Sequence, residues 1–175
     1  MIERCYSPRY QQLYPSYIGT TVHEDWKYYS NYKKWHLEHF VEGYELDKDI
    51  IAGNCKLYSP DTCSFVPKDV NYCILDGNGV NNIFPYGVWY VEKKNGHSYR
   101  SCISKYNKQK HIGYFPTVES AHRAWQEEKI IYLNEIIGKY TNIVSEDVIK
   151  GIQRRDDILQ DDIHNNRITH SLSKI

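Results

Sequence analysis

The stretch LDGNGVNNIFPYG at residues 75–87 sets the strongest limit on how this chain can fold. It brings three glycines, Pro85 and several asparagines together in one short run. Glycine weakens helix and strand interiors alike, and proline removes a backbone donor, so no regular element crosses such a run. A chain of 175 residues interrupted there reads as two small domains and a linker. The expected division is a first domain at 1–76, a linker at 77–85, a second domain at 86–140 and a helical tail at 141–175. The expected class is α+β.

Past the linker the pattern is a meander closed by a helix. GVWYVEK alternates as a strand, KNGH holds the Asn-Gly pair of a tight hairpin, SYRSCISK is a second strand, YNKQ a turn and KHIGYF a third strand. PTVESAHRAWQEEKIIYLNEIIGKY then reads as a helix, with Thr117 as N-cap and Glu119 at the positive end of the dipole. Its apolar positions, among them Ala121, Trp125, Tyr132 and Ile136, can cover one face of the sheet. Strict alternation points Val88, Tyr90, Tyr99, Ser101, Ile103 and Ile112 toward that helix. It points Trp89, Lys93, Arg100, Cys102, Ser104 and His111 away from it, with Lys94, Lys105, Lys108 and Lys110 at the edges. In the tail, Ser145 caps a further helix, and the closing HNNRITHSLSKI reads as frayed.

The charge is zero overall and uneven along the chain. Residues 1–80 carry 8 Lys/Arg and 11 Asp/Glu, residues 81–125 carry 7 and 2, and residues 126–175 carry 7 and 9, so the middle segment is a basic island of 7 − 2 = +5. Such an island is the footprint of a polyanion partner. A basic sheet face dotted with aromatics suits double-stranded DNA, its lysines holding phosphates and its arginine reading bases. The 17 tyrosines, against 4 Phe and 4 Trp, supply flat rings with polar tips, fit for a small core open to water and for contact with sugars, bases and phosphates. The 5 cysteines form no CxxC or CxxH pair, which argues against structural zinc. With no signal-like start and no apolar run of spanning length, the chain reads as cytosolic with reduced thiols and no membrane partner.

In the first domain a helical period runs through Trp26, Tyr29, Tyr32, Leu37 and Phe40, with Gly43 as its stop. Residues 46–51 read as a strand, AGN and SPDT as loops, CSFVP as a second strand, and a helix starts near Lys68. Asp47 opens this strand–loop–strand–helix stretch and Asn71 closes it. Two oxygen ligands of that kind suit Mg²⁺ or Mn²⁺, and leave positions for water and a phosphate. An ion so held stabilises the leaving oxygen of a phosphodiester.

The stretch LDKDIIAGNCKLYSPDTCSFVPKDVN resembles the HNH nuclease motif, in the version carried by phage homing-type endonucleases. The flanking ERCYSPRYQQLYPSYIGTTV and EDW extend the likeness to a subgroup with lysine at the general-base position. The resemblance implies a ββα-metal nuclease domain with Asp47 and Asn71 as metal ligands, Gly53 and Asn54 as the Gly-Asn loop, Thr62 where an asparagine orients the base, and Lys48 at the base position itself. A free lysine has a pKa of about 10.4, so it is almost wholly charged at neutral pH. Lys48 would then hold the phosphate as a cation while another group takes the proton; Asp49, His23, His36 and His39 are open alternatives.

The second half resembles the APETALA-type DNA-binding domain of plant ethylene-response factors, which also occurs fused to phage HNH nucleases. The matching residues are GV at Gly87–Val88, the YRSCI strand and GYFPTVESAHRAW. Together the resemblances imply a metal-dependent, site-selective DNA endonuclease of phage or mobile-element origin that nicks DNA as a monomer in the cytoplasm of an infected bacterium. The implied DNA contacts are Trp89, Lys93, Lys94, Arg100, Ser104, Lys105, Lys110 and His111. The alternative is an HNH-derived DNA-binding regulator in which Lys48 has ended catalysis. An inhibitor acting by protein contact alone would leave the basic sheet without a purpose.

Overall fold

The computed structural model describes residues 1–75, 83–93 and 96–172, Lys93 by its backbone alone. The fold is mixed α+β and divides into two compact units, Met1–Lys68 and Asp69–Leu172. The division precedes the linker expected at 77–85, of which 77–82 lie outside the described residues. Among the described residues no helix is long and apolar enough to cross a membrane.

The first unit runs α1 (Ile2–Tyr6), α2 (Pro8–Leu13), β1 (Thr21–Val22), α3 (Tyr29–His39), β2 (Glu45–Asp47), α4 (Asp49–Ala52), β3 (Leu57–Tyr58) and β4 (Ser64–Val66), with short 3-10 turns at Pro15–Tyr17 and Glu24–Lys27. Ser7 caps α2, with Pro8 in its first turn. β1 pairs in parallel with β3, and β2 pairs antiparallel with β4, Asp47 opposite Ser64. The core gathers Cys5, Val22, Trp26, Trp35, Tyr58 and Cys63. Trp26 and Trp35 meet at 4.6 Å between ring centroids. This core corrects the helical stripe expected from Trp26 to Phe40. Trp26 sits in a 3-10 turn, α3 begins only at Tyr29, and Leu37 is 70% exposed, because the helix turns Trp35 rather than Leu37 inward.

The strand expected over residues 46–51 is also corrected. β2 stops at Asp47, whose Oδ1 accepts the amides of Asp49 at 2.9 Å and Ile50 at 2.7 Å. A carboxylate accepting the amides two and three residues ahead favours a helical turn. α4 follows, although Ile50 and Ile51 alone would prefer a strand.

The second unit contains α5 (Lys68–Cys73, from Asp69 on), β5 (Val88–Lys93), β6 (Gly96–Lys105), β7 (Lys108–Phe115), α6 (Val118–Tyr140) and α7 (Glu146–His164). The three strands form one antiparallel sheet in the order β5-β6-β7. Asn95 of the expected first hairpin turn lies outside the described residues. The second turn is Tyr106–Asn107, both at positive φ (50° and 59°) between the paired Lys105 and Lys108, as a twisted two-residue hairpin demands. Thr117 and Ser120 form a reciprocal capping box on α6, and Ser145 caps α7. α6 buries Tyr132, Leu133 and Ile136, and α7 buries Val148, Ile152 and Leu159.

The ending expected to fray is ordered as far as it is described. Thr169 and Leu172 are buried. Gln126 Nε2 donates to the Arg167 carbonyl and to Thr169 Oγ1, and the Thr169 amide donates to His122 Nε2 at 3.0 Å. The polar composition that suggested fraying is consumed in these bonds to α6.

Candidate functional site

In the first unit the expected nuclease residues gather around the end of β2. Asp47 is half-buried, with Oδ1 fixed by the two amides that start α4. Gly53 closes α4 at φ +60°, a conformation glycine adopts without strain. Lys48, at the expected base position, is only 7% exposed. Its Nζ donates to the Asp49 carboxylate and, at 3.2 Å, to the Cys55 carbonyl, and it lies 5.7 Å from the centre of the Tyr58 ring. An ammonium spending its protons this way has no lone pair with which to accept another. Thr62 Oγ1 donates to the Leu57 carbonyl at 2.8 Å and accepts the Ser59 amide at 3.0 Å, so it closes the loop between β3 and β4.

The alternative proton acceptors are placed as follows. Asp49 is the partner of Lys48. His36 stacks on Phe40 and meets Phe65 edge-on, and its Nδ1 is buried without a hydrogen-bond partner. His39 lies flat on Trp35, its Nδ1 2.7 Å from the Trp35 carbonyl. His23 caps the 3-10 turn through the Asp25 amide. Among the described residues no group of three or more His, Cys, Asp or Glu side chains is placed to hold a metal ion.

Asn71 lies on α5, in the second unit, so the expected ligand pair is divided between the units. α5 belongs there for a physical reason. Asp69 Oδ2 accepts from Lys139 Nζ at 2.6 Å and from the Tyr140 hydroxyl at 3.0 Å, at the far end of α6. The Lys139 hydrogen bond, reinforced by that of Tyr140, holds the Asp69 carboxyl below its ordinary value.

The sheet of the second unit has two distinct faces. Lys105 Nζ reaches Glu128 and Glu135 of α6, and Lys110 Nζ reaches Glu128 at 2.8 Å. Ile103 pairs with Lys110 and alternates with Lys105, so Val88, Ser101 and Ile103, all buried as expected, lie on the face packed against α6. Burial works to lower the Lys105 ammonium, but the hydrogen bonds to Glu135 and Glu128 outweigh it and leave it above its ordinary value. Burial likewise opposes ionisation of Glu128, and its bonds to Lys110 and Lys105 leave its carboxyl below the ordinary value. Two of the lysines expected beside the DNA-facing surface are thus tied to the helix. Tyr90, expected inward, is 49% exposed and meets His97 and Tyr99.

On the opposite face Trp89, Arg100 and Tyr114 stand directly across from one another, one on each strand. The Arg100 guanidinium lies 5.5 Å from the Trp89 ring centre. Ser101 pairs with Gly113 and Cys102 with His111, leaving Ile112 as an unpaired bulge in β7. The bulge puts His111 and Tyr114 on one face, their rings 4.8 Å apart. Ser104 and Lys108 are exposed. Lys94 and the Lys93 side chain lie outside the described residues. Sequence reasoning missed Tyr114, because strict alternation from His111 sends it inward; the Gly113 beside Ile112 was the available sign of a bulge.

Comparison of the chain with protein-family models, with curated proteins and with solved structures finds no match.

Proposed function

We propose that this chain is a metal-dependent, site-selective DNA endonuclease that nicks its substrate, with the first unit cutting and the sheet of the second unit selecting the site. The observation that carries the reading is the row of half-buried Trp89 and Arg100 and exposed Tyr114, with exposed His111 beside it, on the sheet face away from α6. An arginine among flat rings is a surface made for bases and phosphates. The cutting half is supported by the antiparallel β2–β4 pair, which sets Asp47 at a strand end, and by the glycine turn that follows α4.

Asp47 suits a hard divalent cation: it is a carboxylate, half-buried and oriented through Oδ1 by two backbone amides. It would contribute an oxygen to Mg²⁺ or Mn²⁺, the role the HNH resemblance gives it. When bound, the ion supplies charge stabilisation to the leaving oxygen. Lys48 would act as a fixed positive charge that positions Asp49 and the Cys55 carbonyl, and the proton would go to another acceptor.

A second reading, a DNA-binding regulator with a degenerate nuclease unit, is favoured by that same burial and pairing of Lys48. Incubating supercoiled plasmid with the protein in Mg²⁺, Mn²⁺ or EDTA, beside Asp47→Asn, separates the two. Asparagine keeps an oxygen for the α4 amides and loses the charge. Metal-dependent nicking that falls at least about a hundredfold in Asp47→Asn supports the enzyme. DNA binding without nicking under any metal, unchanged in the variant, supports the regulator.

A further inference from the structure

The cationic groups and rings of the second unit's sheet are sorted between its two faces. Lys105 and Lys110 point to α6 and are neutralised there by Glu128 and Glu135. The outer face keeps Arg100, held against Trp89, together with exposed His111 and Tyr114. Tyr114 is 55% exposed although it sits mid-sheet. Cys102 and Ser98, on the same face, are buried, Cys102 Sγ 3.8 Å from His111 Nδ1. Arg100 Nε is buried with no hydrogen-bond partner, and the guanidinium lies against the Trp89 ring.

A duplex presents this face with a negatively charged backbone and the narrow edges of paired bases, which call for long, mobile cations and hydrogen-bonding side chains. An exposed tyrosine ring beside an arginine seated on a tryptophan offers something else. Neighbouring strands lie about 4.8 Å apart, so a base lying on Tyr114 would have the Arg100 guanidinium on the next strand beside it. Base stacking on aromatic side chains tolerates any sequence and needs the base to be out of its pair.

We infer that the outer face of this sheet binds unpaired DNA bases by stacking, with Tyr114 as the platform and Arg100, seated on Trp89, as the phosphate or base-plane cation. This rests on the reading that the protein acts on DNA and narrows its substrate to sites holding open bases: a bubble, a fork or a single strand. The ring of Tyr114 is the exposed platform, so its removal leaves the α6-facing core untouched. The Trp89 ring, half-buried beneath Arg100, fixes the row's other end.

The test uses the full chain and three fluorescein-labelled 20-mers of one sequence: a single strand, a duplex with a central four-base mismatch, and the fully paired duplex. Fluorescence anisotropy is read with Mg²⁺ present, for wild type, Tyr114→Ala and Tyr114→Phe, each checked for fold by circular dichroism. The single strand and the mismatched duplex should bind at least about tenfold more tightly than the paired duplex, and Tyr114→Ala should lose about tenfold while Tyr114→Phe keeps the affinity. Equal or tighter binding of the paired duplex, or affinity for the single strand unchanged in Tyr114→Ala, overturns the inference and leaves the DNA-acting reading standing. Binding of none of the three overturns both.

Discussion

At Lys48 the chain buries a charged side chain, and its surroundings decide what a substitution does. Its ammonium bridges the Asp49 carboxylate and the Cys55 carbonyl, and its stem is buried. Lys48→Ala removes the stem and leaves both acceptors without it, so unfolding should cost about 2–3 kcal/mol less than in wild type. Lys48→Met keeps most of the stem volume and should lose about half of that, read as the shift in the urea midpoint. If Lys48 positions rather than accepts protons, nicking by Lys48→Met stays within about tenfold of wild type; loss of nicking from a protein still folded would make the ammonium part of the chemistry. Composition around Lys48 showed a charged strand end. That its charge is buried depends on Tyr58 and Cys55 folding over it, contacts that no local pattern records.

Between neighbouring elements the readable signals were those that act within a few residues. Thr117 and Ser145 were legible as caps because capping needs only one side chain and the amides just ahead of it. The three strands of the meander were legible because alternation and turn residues agree. The failures came where one residue reset the pattern. Asp47 turned an apparent strand into α4, and Ile112 slipped the phase of β7 so that Tyr114 joined His111. Of the candidate site, Asp47, Arg100 and His111 were named from sequence, whereas the diversion of Lys105 and Lys110 to α6 required the sheet-to-helix packing to be known. That packing makes its own prediction. Gly87 has φ +74°, and a Cβ there would lie 2.0 Å from Cδ1 of Trp125. Gly87→Ala should destabilise the protein by about 3 kcal/mol, lowering its thermal midpoint, while Gly138→Ala, whose added methyl meets nothing within 4 Å, should be neutral or mildly stabilising.

Over the molecule as a whole, part of the basic island is neutralised by the acidic segment that follows it, since Lys105 and Lys110 meet Glu128 and Glu135. DNA binding should therefore show a log–log salt slope shallower by about 2 than the island's seven Lys/Arg together would give, because Lys105 and Lys110 release no phosphate counterions. Acid acts elsewhere. His122 is buried, its Nε2 accepts the Thr169 amide, and its Nδ1 therefore carries the proton donated to the Tyr86 carbonyl. Burial lowers its pKa below 6.5, with His170 and Arg123 adding to the effect and the Tyr86 carbonyl and Asp162 opposing it. A depressed histidine favours the neutral form in the fold, so its stabilising contribution is complete above about pH 6.5 and is lost as the pH falls below that value. Hydrogen exchange should show the Thr169 amide losing protection between pH 7 and pH 5, ahead of the amides of α6. The same bonds give the last described residues a genetic weight out of proportion to their number. A premature stop codon at position 167 would strand the acceptor on His122 and the side-chain amide of Gln126, and would empty the site filled by Leu172. Truncation at this point should therefore behave as a loss of the folded second unit and not as a trimmed version of it.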